Sequence, residues 1–271
     1  MQTQSAQIQT GEARTSSDTQ AQIAVVVSFI ATLTLNTLAV TLPLFGRSTK
    51  DISDSYPSFF TPAGLTFSIW SILYLSQLAF TVFQALPAQA ANSSIRKIRW
   101  PIVAANLFNA TWIVAWHGLV VWASMLLMIG LLLSLIVAYN RLDIGVSKAS
   151  SETESWLVRL PVSLYLGWIT VATVANAVSL LIDFGWSDTG LIGRISAALL
   201  VLVAAGIGAA FSLNHRDVGY NLVLLWAFLG IYLARPGEPL VVAGVIAGAL
   251  VVLAGIVVSR LPGRAPPLSR I

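Results

Sequence analysis

The chain has 271 residues, 56% of them hydrophobic and only 10% charged, with a net charge of +4 and a mean hydropathy of +0.81. A soluble domain carries about 25% charged residues, and a globule of this size could not cover its surface with so few polar groups. A soluble fold is therefore excluded, and the absence of cysteine also excludes disulfides, thiolate metal sites and cysteine nucleophiles.

In chain order, residues 1–20 are rich in Gln, Ser and Thr and have no apolar run, so a disordered cytoplasmic tail is expected there. They lack the basic start, apolar core and cleavage pattern of a signal peptide. A helix needs about 20 apolar residues to cross a bilayer. Eight stretches qualify: Ile23–Leu42, Leu65–Leu86, Trp100–Trp116, Leu119–Tyr139, Leu157–Ile182, Leu191–Leu213, Val218–Ala234 and Leu240–Val258. The expected fold class is all-α, a polytopic membrane bundle of about eight transmembrane helices. His117-Gly118 leaves room only for a tight antiparallel turn between the third and fourth spans. Arg235-Pro236-Gly237-Glu238-Pro239 separates the last two.

Eight spans place eleven of the 15 Lys/Arg residues on the side of the termini and four (Arg47, Lys50, Arg194, Arg235) on the other. Cytoplasmic segments are enriched in Lys/Arg, so both termini are expected in the cytoplasm of a cell whose inner membrane holds the protein. The basic excess thus reports topology, and no nucleic-acid partner is expected.

Almost no ionisable residue lies deep in a span, which argues against a proton- or ion-coupled pump. The spans instead carry aromatic and amide residues at helical spacing. Trp70, Tyr74 and Gln77 share one face of the second span, Asn109, Trp112 and Trp116 one face of the third, and Tyr165, Trp168, Ala172 and Asn176 one face of the fifth. Facing one another, such stripes would line a cavity with flat apolar walls and a few hydrogen-bonding groups. The alternative is that the amides only tie helices together. Trp100, Trp156 and Trp186 fit an interfacial belt.

Three blocks at these positions resemble the tryptophan-rich sensory protein family, also called the translocator protein or peripheral benzodiazepine receptor family (TspO/MBR). They are Thr66-Phe67-Ser68-Ile69-Trp70-Ser71-Ile72-Leu73-Tyr74, then Phe108-Asn109-Ala110-Thr111-Trp112, then Tyr165-Leu166-Gly167-Trp168-Ile169-Thr170 continuing to Asn176. Order and spacing agree over about Ile23 to Asp183. Two features depart from the family pattern. The first loop reads Tyr56-Pro57-Ser58-Phe59-Phe60-Thr61-Pro62, where the family commonly has a Trp-x-Pro-Pro element, and Leu164 stands where the family often has Pro. The resemblance implies a five-helix unit over 21–185 with a ligand cavity opening towards the first loop. Three additional spans over 186–260 and a cytoplasmic tail over 261–271 would make this a distant, extended member.

The resemblance also implies ligands such as porphyrins and other tetrapyrroles, sterols or benzodiazepine-type compounds. The expected ligand-binding residues are Trp70, Tyr74, Asn109, Trp112, Tyr165, Trp168 and Asn176. No catalytic or metal-ligating residue and no cofactor is expected. The partners expected are membrane lipids and a hydrophobic planar molecule such as a porphyrin, in a sensory or regulatory role. The alternatives are a carrier for a small apolar or amphipathic solute and, third, an enzyme of tetrapyrrole breakdown. Residues 48–60 are expected to form a mobile lid, because little apolar sequence holds them down. Gly206, Gly208, Ala209, Gly244 and Gly248 would let helix backbones approach closely, either within the chain or in a homodimer. His117 and His215 lie at span ends and are expected to be ordinary interfacial residues, with a ligand to a tetrapyrrole iron as the alternative. A reporter fused after Ile271 should be active only as a cytoplasmic fusion, and periplasmic-type activity from it would overturn the eight-span count.

Overall fold

The computed structural model describes residues 15–42, 44–47, 51–52 and 55–261, all helix and connecting loop with no β-strand among them. Of the tails expected over 1–20 and 261–271, residues 1–14 and 262–271 lie outside the described residues. Eight long helices follow: α1 Ser16–Thr41, α2 Gly64–Ala85, α3 Ser93–His117, α4 Val121–Arg141, α5 Glu152–Asp183, α6 Gly190–His215, α7 Val218–Ala234 and α8 Pro239–Ser259. Six are long and apolar enough to cross a membrane. The other two are α3, whose first turns carry Arg96, Lys97 and Arg99, and α7, which has 17 residues.

The first helix begins earlier than the sequence suggested, because residues 16–20, expected in the disordered tail, are helical. A reciprocal cap holds this start. Asp18 N–H donates to Thr15 Oγ1 at 3.2 Å, and Thr15 N–H donates to Asp18 Oδ2 at 2.8 Å. These satisfy two of the amides that a helix start leaves unpaired. Arg96 of α3 then donates to both carboxylate oxygens of Asp18, at 2.7 and 2.6 Å, and anchors the end.

The helices close a ring. α1 packs between α2 and α3, α3 on α4, α4 on α5, and α5 returns to α2. α7 lies against α5 and the start of α2, while α6 and α8 run parallel to each other and pack on α7. Helices alternate in direction. The start of α1 and the end of α8 therefore share one side, here the terminal end. The connections α1–α2, α3–α4, α5–α6 and α7–α8 lie at the opposite side, the loop end.

Two different chemistries hold these layers together. In the ring, buried side-chain amides and hydroxyls bridge helices, as when Gln22 Nε2 donates to Gln84 O (2.6 Å) and Leu86 O (3.1 Å). In the remainder, small residues bring backbones into contact. A Cβ at Gly244 would lie 2.8 Å from the Ala198 Cβ, one at Gly248 2.8 Å from a Val201 methyl, and one at Gly167 2.8 Å from the Tyr220 carbonyl oxygen. Gly244 and Gly248 are therefore spent on α6–α8 packing inside the chain. Gly206 faces open space.

Prolines inside helices are compensated locally. Pro101 in α3 cannot donate to the Lys97 carbonyl, and Arg141 Nη1 donates to it instead at 2.9 Å. In α5 a single wide turn at Ser155–Arg159 precedes Pro161, whose own carbonyl accepts from Gln77 Nε2 at 3.2 Å.

The two kinds of glycine make a direct comparison. Gly244→Leu should destabilise the protein by about 1–3 kcal/mol, because backbone and Cβ of Ala198 cannot yield as a flexible side chain would. Gly206→Ala should be neutral or mildly stabilising. Thermal unfolding in detergent checks both, and equal melting temperatures for the two variants would refute this packing.

Candidate ligand-binding site

The aromatic stripes of α2 and α5 face each other inside the ring. Trp70 stacks on Tyr74 with ring centroids 5.3 Å apart, and meets Tyr165 and Trp168 edge to face at 6.3 and 6.1 Å. Phe67 meets the other side of Trp168 at 6.2 Å. Tyr165 and Trp168 are almost fully buried, while Trp70 and Tyr74 are half-buried. Edge-to-face and offset contacts suit the ring quadrupoles and fix the rings relative to one another.

The amides hold the walls. Asn109 of α3 is fully buried. Its Oδ1 accepts from Asn36 Nδ2 at 2.8 Å, and its Nδ2 donates to the Tyr165 hydroxyl at 2.6 Å. One side chain thus links α1, α3 and α5. Trp112 and Asn176 form a second group nearer the loop end. Trp112 Nε1 donates to Asn176 Oδ1 at 2.9 Å, and Asn176 Nδ2 donates to Ser124 Oγ of α4 at 3.1 Å. Trp112 also stacks on Trp116 at 6.0 Å.

The seven residues singled out from sequence therefore gather inside the ring, in two layers. What the sequence reading missed is the contribution of α1 and α4. Ser28, Thr32 and Asn36 are spaced by four and form a polar stripe on α1. Thr32 Oγ1 donates to the Asn106 carbonyl at 2.8 Å, and Asn106 Nδ2 donates to Ser28 Oγ at 3.0 Å. The i, i+4, i+8 spacing was visible, but the stripe has no aromatic residue to mark it.

A small cavity of about 10 Å³ lies between Phe29, Thr32, Trp70, Tyr74, Gln77 and Tyr165. That is room for about one water. Two donors beside the cluster, the Tyr74 hydroxyl and Trp168 Nε1, are buried and have no hydrogen-bond partner in the protein. Buried polar atoms are normally paired, so such orphans call for an explanation. The site can offer ring faces and hydrogen-bond donors. Among the described residues no group of three His, Asp or Glu is placed to hold a metal.

Residues 55–63 of the first loop close over the loop end of the ring. Residues 48–50, 53 and 54 of the expected lid lie outside the described residues. The rest does not match the expectation of a weakly held segment. Ile52, Tyr56 and Phe60 are buried. Tyr56 packs on Trp116 at 6.1 Å, and its hydroxyl donates to Asp183 at 3.3 Å. Burial and the Asp183 carboxylate push the Tyr56 hydroxyl up, so it stays protonated as a donor. Three apolar anchors at spacing four, Ile52, Tyr56 and Phe60, supply the hold that a search for long apolar runs overlooks.

An all-α membrane bundle, built on a five-helix ring with an aromatic and amide interior, is the class of protein that this architecture defines. The family described as TSPO-like protein matches residues 22–258, and the chain belongs to it. The match runs through α6, α7 and α8 as well as the ring. No curated protein and no solved structure matches the chain.

Asn109 is the decisive amide. Asn109→Ala should lower stability by about 1–2 kcal/mol, because it removes two interhelical bonds and strands the Tyr165 hydroxyl in the interior. Tyr165→Phe should cost less, since Asn109 keeps its bond to Asn36. Unfolding in mixed detergent micelles would show the order, and the reverse order would remove Asn109 from its bridging role.

Proposed function

We propose that the protein binds a hydrophobic planar small molecule of the tetrapyrrole type inside the five-helix ring and acts as a membrane-embedded sensor or regulator. The observation that carries this reading is the convergence of Trp70, Tyr74, Tyr165 and Trp168 beside two buried donors without partners. Indole and phenol faces favour flat ligands, and an orphan N–H and O–H favour one that carries acceptor atoms at its edge, such as ring nitrogens or carboxylates. The lining supplies ring faces and hydrogen-bond donors, the chemistry of recognition.

A drug-sized ligand needs a pocket of about 300–1,000 Å³, and the cavity present is far smaller. Binding in this reading therefore separates rings that now touch, and the Trp70–Tyr74 stack, half-buried on α2, is the part able to swing. The same reading places the protein in the inner cell membrane with both termini in the cytoplasm, supported by the Lys/Arg bias and by the shared side of the α1 start and the α8 end.

Titration of purified protein with a porphyrin panel tests the proposal. Trp168→Phe keeps an apolar ring of smaller area and should weaken binding several-fold. Trp186→Phe, in the α5–α6 connection, should leave binding unchanged. Both should keep near wild-type thermal stability without ligand. If the two variants bind alike, Trp168 serves only packing and the site assignment fails.

A further inference from the structure

We infer that α7 and the adjoining ends of α6 and α8 form a latch that holds residues 55–63 shut over the ring, so that access to the aromatic site is set by opening of this latch. The consequence for access rests on the binding reading above. The latch itself does not.

The loop segment 55–63 straddles two surfaces. Its ring-side contacts are mainly apolar, with Tyr56 on Trp116 and Phe60 almost fully buried in the main core, and add one hydrogen bond from the Tyr56 hydroxyl to Asp183. Its other side is held by polar groups from outside the ring. The Phe59 N–H donates to Asp188 Oδ2 at 3.1 Å, in the α5–α6 connection. Arg235, just past α7, donates through Nη2 to the Ser58 carbonyl at 2.8 Å. The Ala63 N–H donates to the Gly230 carbonyl of α7 at 2.9 Å, and Trp226 Nε1 of α7 donates to the Thr66 carbonyl at 2.9 Å. The Phe59 ring also lies under two guanidinium groups, Arg194 at 5.3 Å and Arg235 at 5.7 Å. Arg194 is oriented by an ion pair with Glu238, whose carboxyl it holds below the usual range.

Gly230 shows how closely the parts fit. A Cβ there would lie 2.0 Å from Thr66 Oγ1, so α7 reaches the start of α2 only because it has no side chain at that position. The clamped backbone continues directly into Phe67 and Trp70, the rings that enclose Trp168. Release of the segment would therefore free the part of the aromatic cluster that must separate to admit a ligand.

The two sides differ in how easily they yield. A cleft of about 500 Å³ runs beside the latch, lined by Ser58, Phe59, Asp188, Thr189, Arg235 and Glu238. Water in this cleft can replace the latch hydrogen bonds one by one, whereas the ring-side anchors Ile52, Tyr56 and Phe60 are held mainly by buried apolar surface that water cannot replace. Opening thus begins at Asp188 and Arg235.

Amide hydrogen exchange of the full chain in phosphatidylcholine/phosphatidylglycerol nanodiscs, without ligand, tests the latch. In Asp188→Ala/Arg235→Met, exchange over 55–63 should rise at least ten-fold, while exchange within α3, α4 and α5 stays as in the unsubstituted protein. Arg235→Lys, which keeps charge and donor, should restore most of the protection lost in Arg235→Met. The association rate of protoporphyrin IX should rise several-fold in the double variant. Unchanged exchange over 55–63 would overturn the latch. Raised exchange with an unchanged association rate, in protein that binds the porphyrin, would overturn its control of access. Failure of the unsubstituted protein to bind any porphyrin would count against the binding reading alone, because the exchange measurement still decides the latch.

Discussion

In lipid a backbone N–H or C=O that leaves the helical ladder finds no water, and the chain itself must supply its partner. The points where the helices break or bend show this constraint at work. Pro101 frees the Lys97 carbonyl, and Arg141 takes it. The turn between α2 and α3 exposes the carbonyls of Gln89 and Ala90, and the buried Arg99 donates to both, at 2.7 and 2.9 Å. Gln22 reaches the carbonyls of Gln84 and Leu86 at the end of α2. These polar side chains were chosen for backbone groups, and most of them sit on α1 and α3 near the terminal end. With the helix ends satisfied, the ring can close.

Once backbones are satisfied, helices in lipid gain little from burying apolar surface against one another, so close approach and interhelical hydrogen bonds must drive association. The ring and the remainder divide these two devices. α1, α3, α4 and α5 are tied by Ser28, Thr32, Asn36, Asn106, Asn109, Ser124 and Asn176. α6 and α8 are tied by glycine and alanine contacts. α7 joins the two, since Tyr220 and Val223 meet Gly167 of α5 and Gly230 meets Thr66 of α2. The family match, residues 22–258, covers both parts.

The interior of the ring combines a rigid amide frame with a set of rings that fill their own space. Asn109 and Asn176 are locked by partners on neighbouring helices, whereas Tyr74 and Trp168 keep polar atoms without partners. The aromatic cluster is thus closely packed yet keeps unspent donors, inside walls that the amides fix. The loop segment over it is clamped between an apolar ring surface and a polar edge contributed by the later helices, so the late part of the chain acts on the early part.

The sequence by itself determined the solvent, the number and order of the helices, and the faces of α2, α3 and α5 that point inward. Each of these follows from composition or from a local period, and the 3.6-residue repeat places Tyr165, Trp168 and Asn176 on one side whatever they touch. Tertiary structure alone decided the rest. Whether Gly244 and Gly248 serve the chain or a second copy depends on where Ala198 and Val201 lie, 46 and 47 residues earlier. The hold on the first loop depends on Asp188 and Arg235, which are more than a hundred residues from Phe59 and carry no motif. That Trp112 pairs with Asn176 while Tyr165 pairs with Asn109 depends on the rotation of α3 against α5. Periodicity fixes a face relative to its own helix axis, and only packing fixes one axis relative to another.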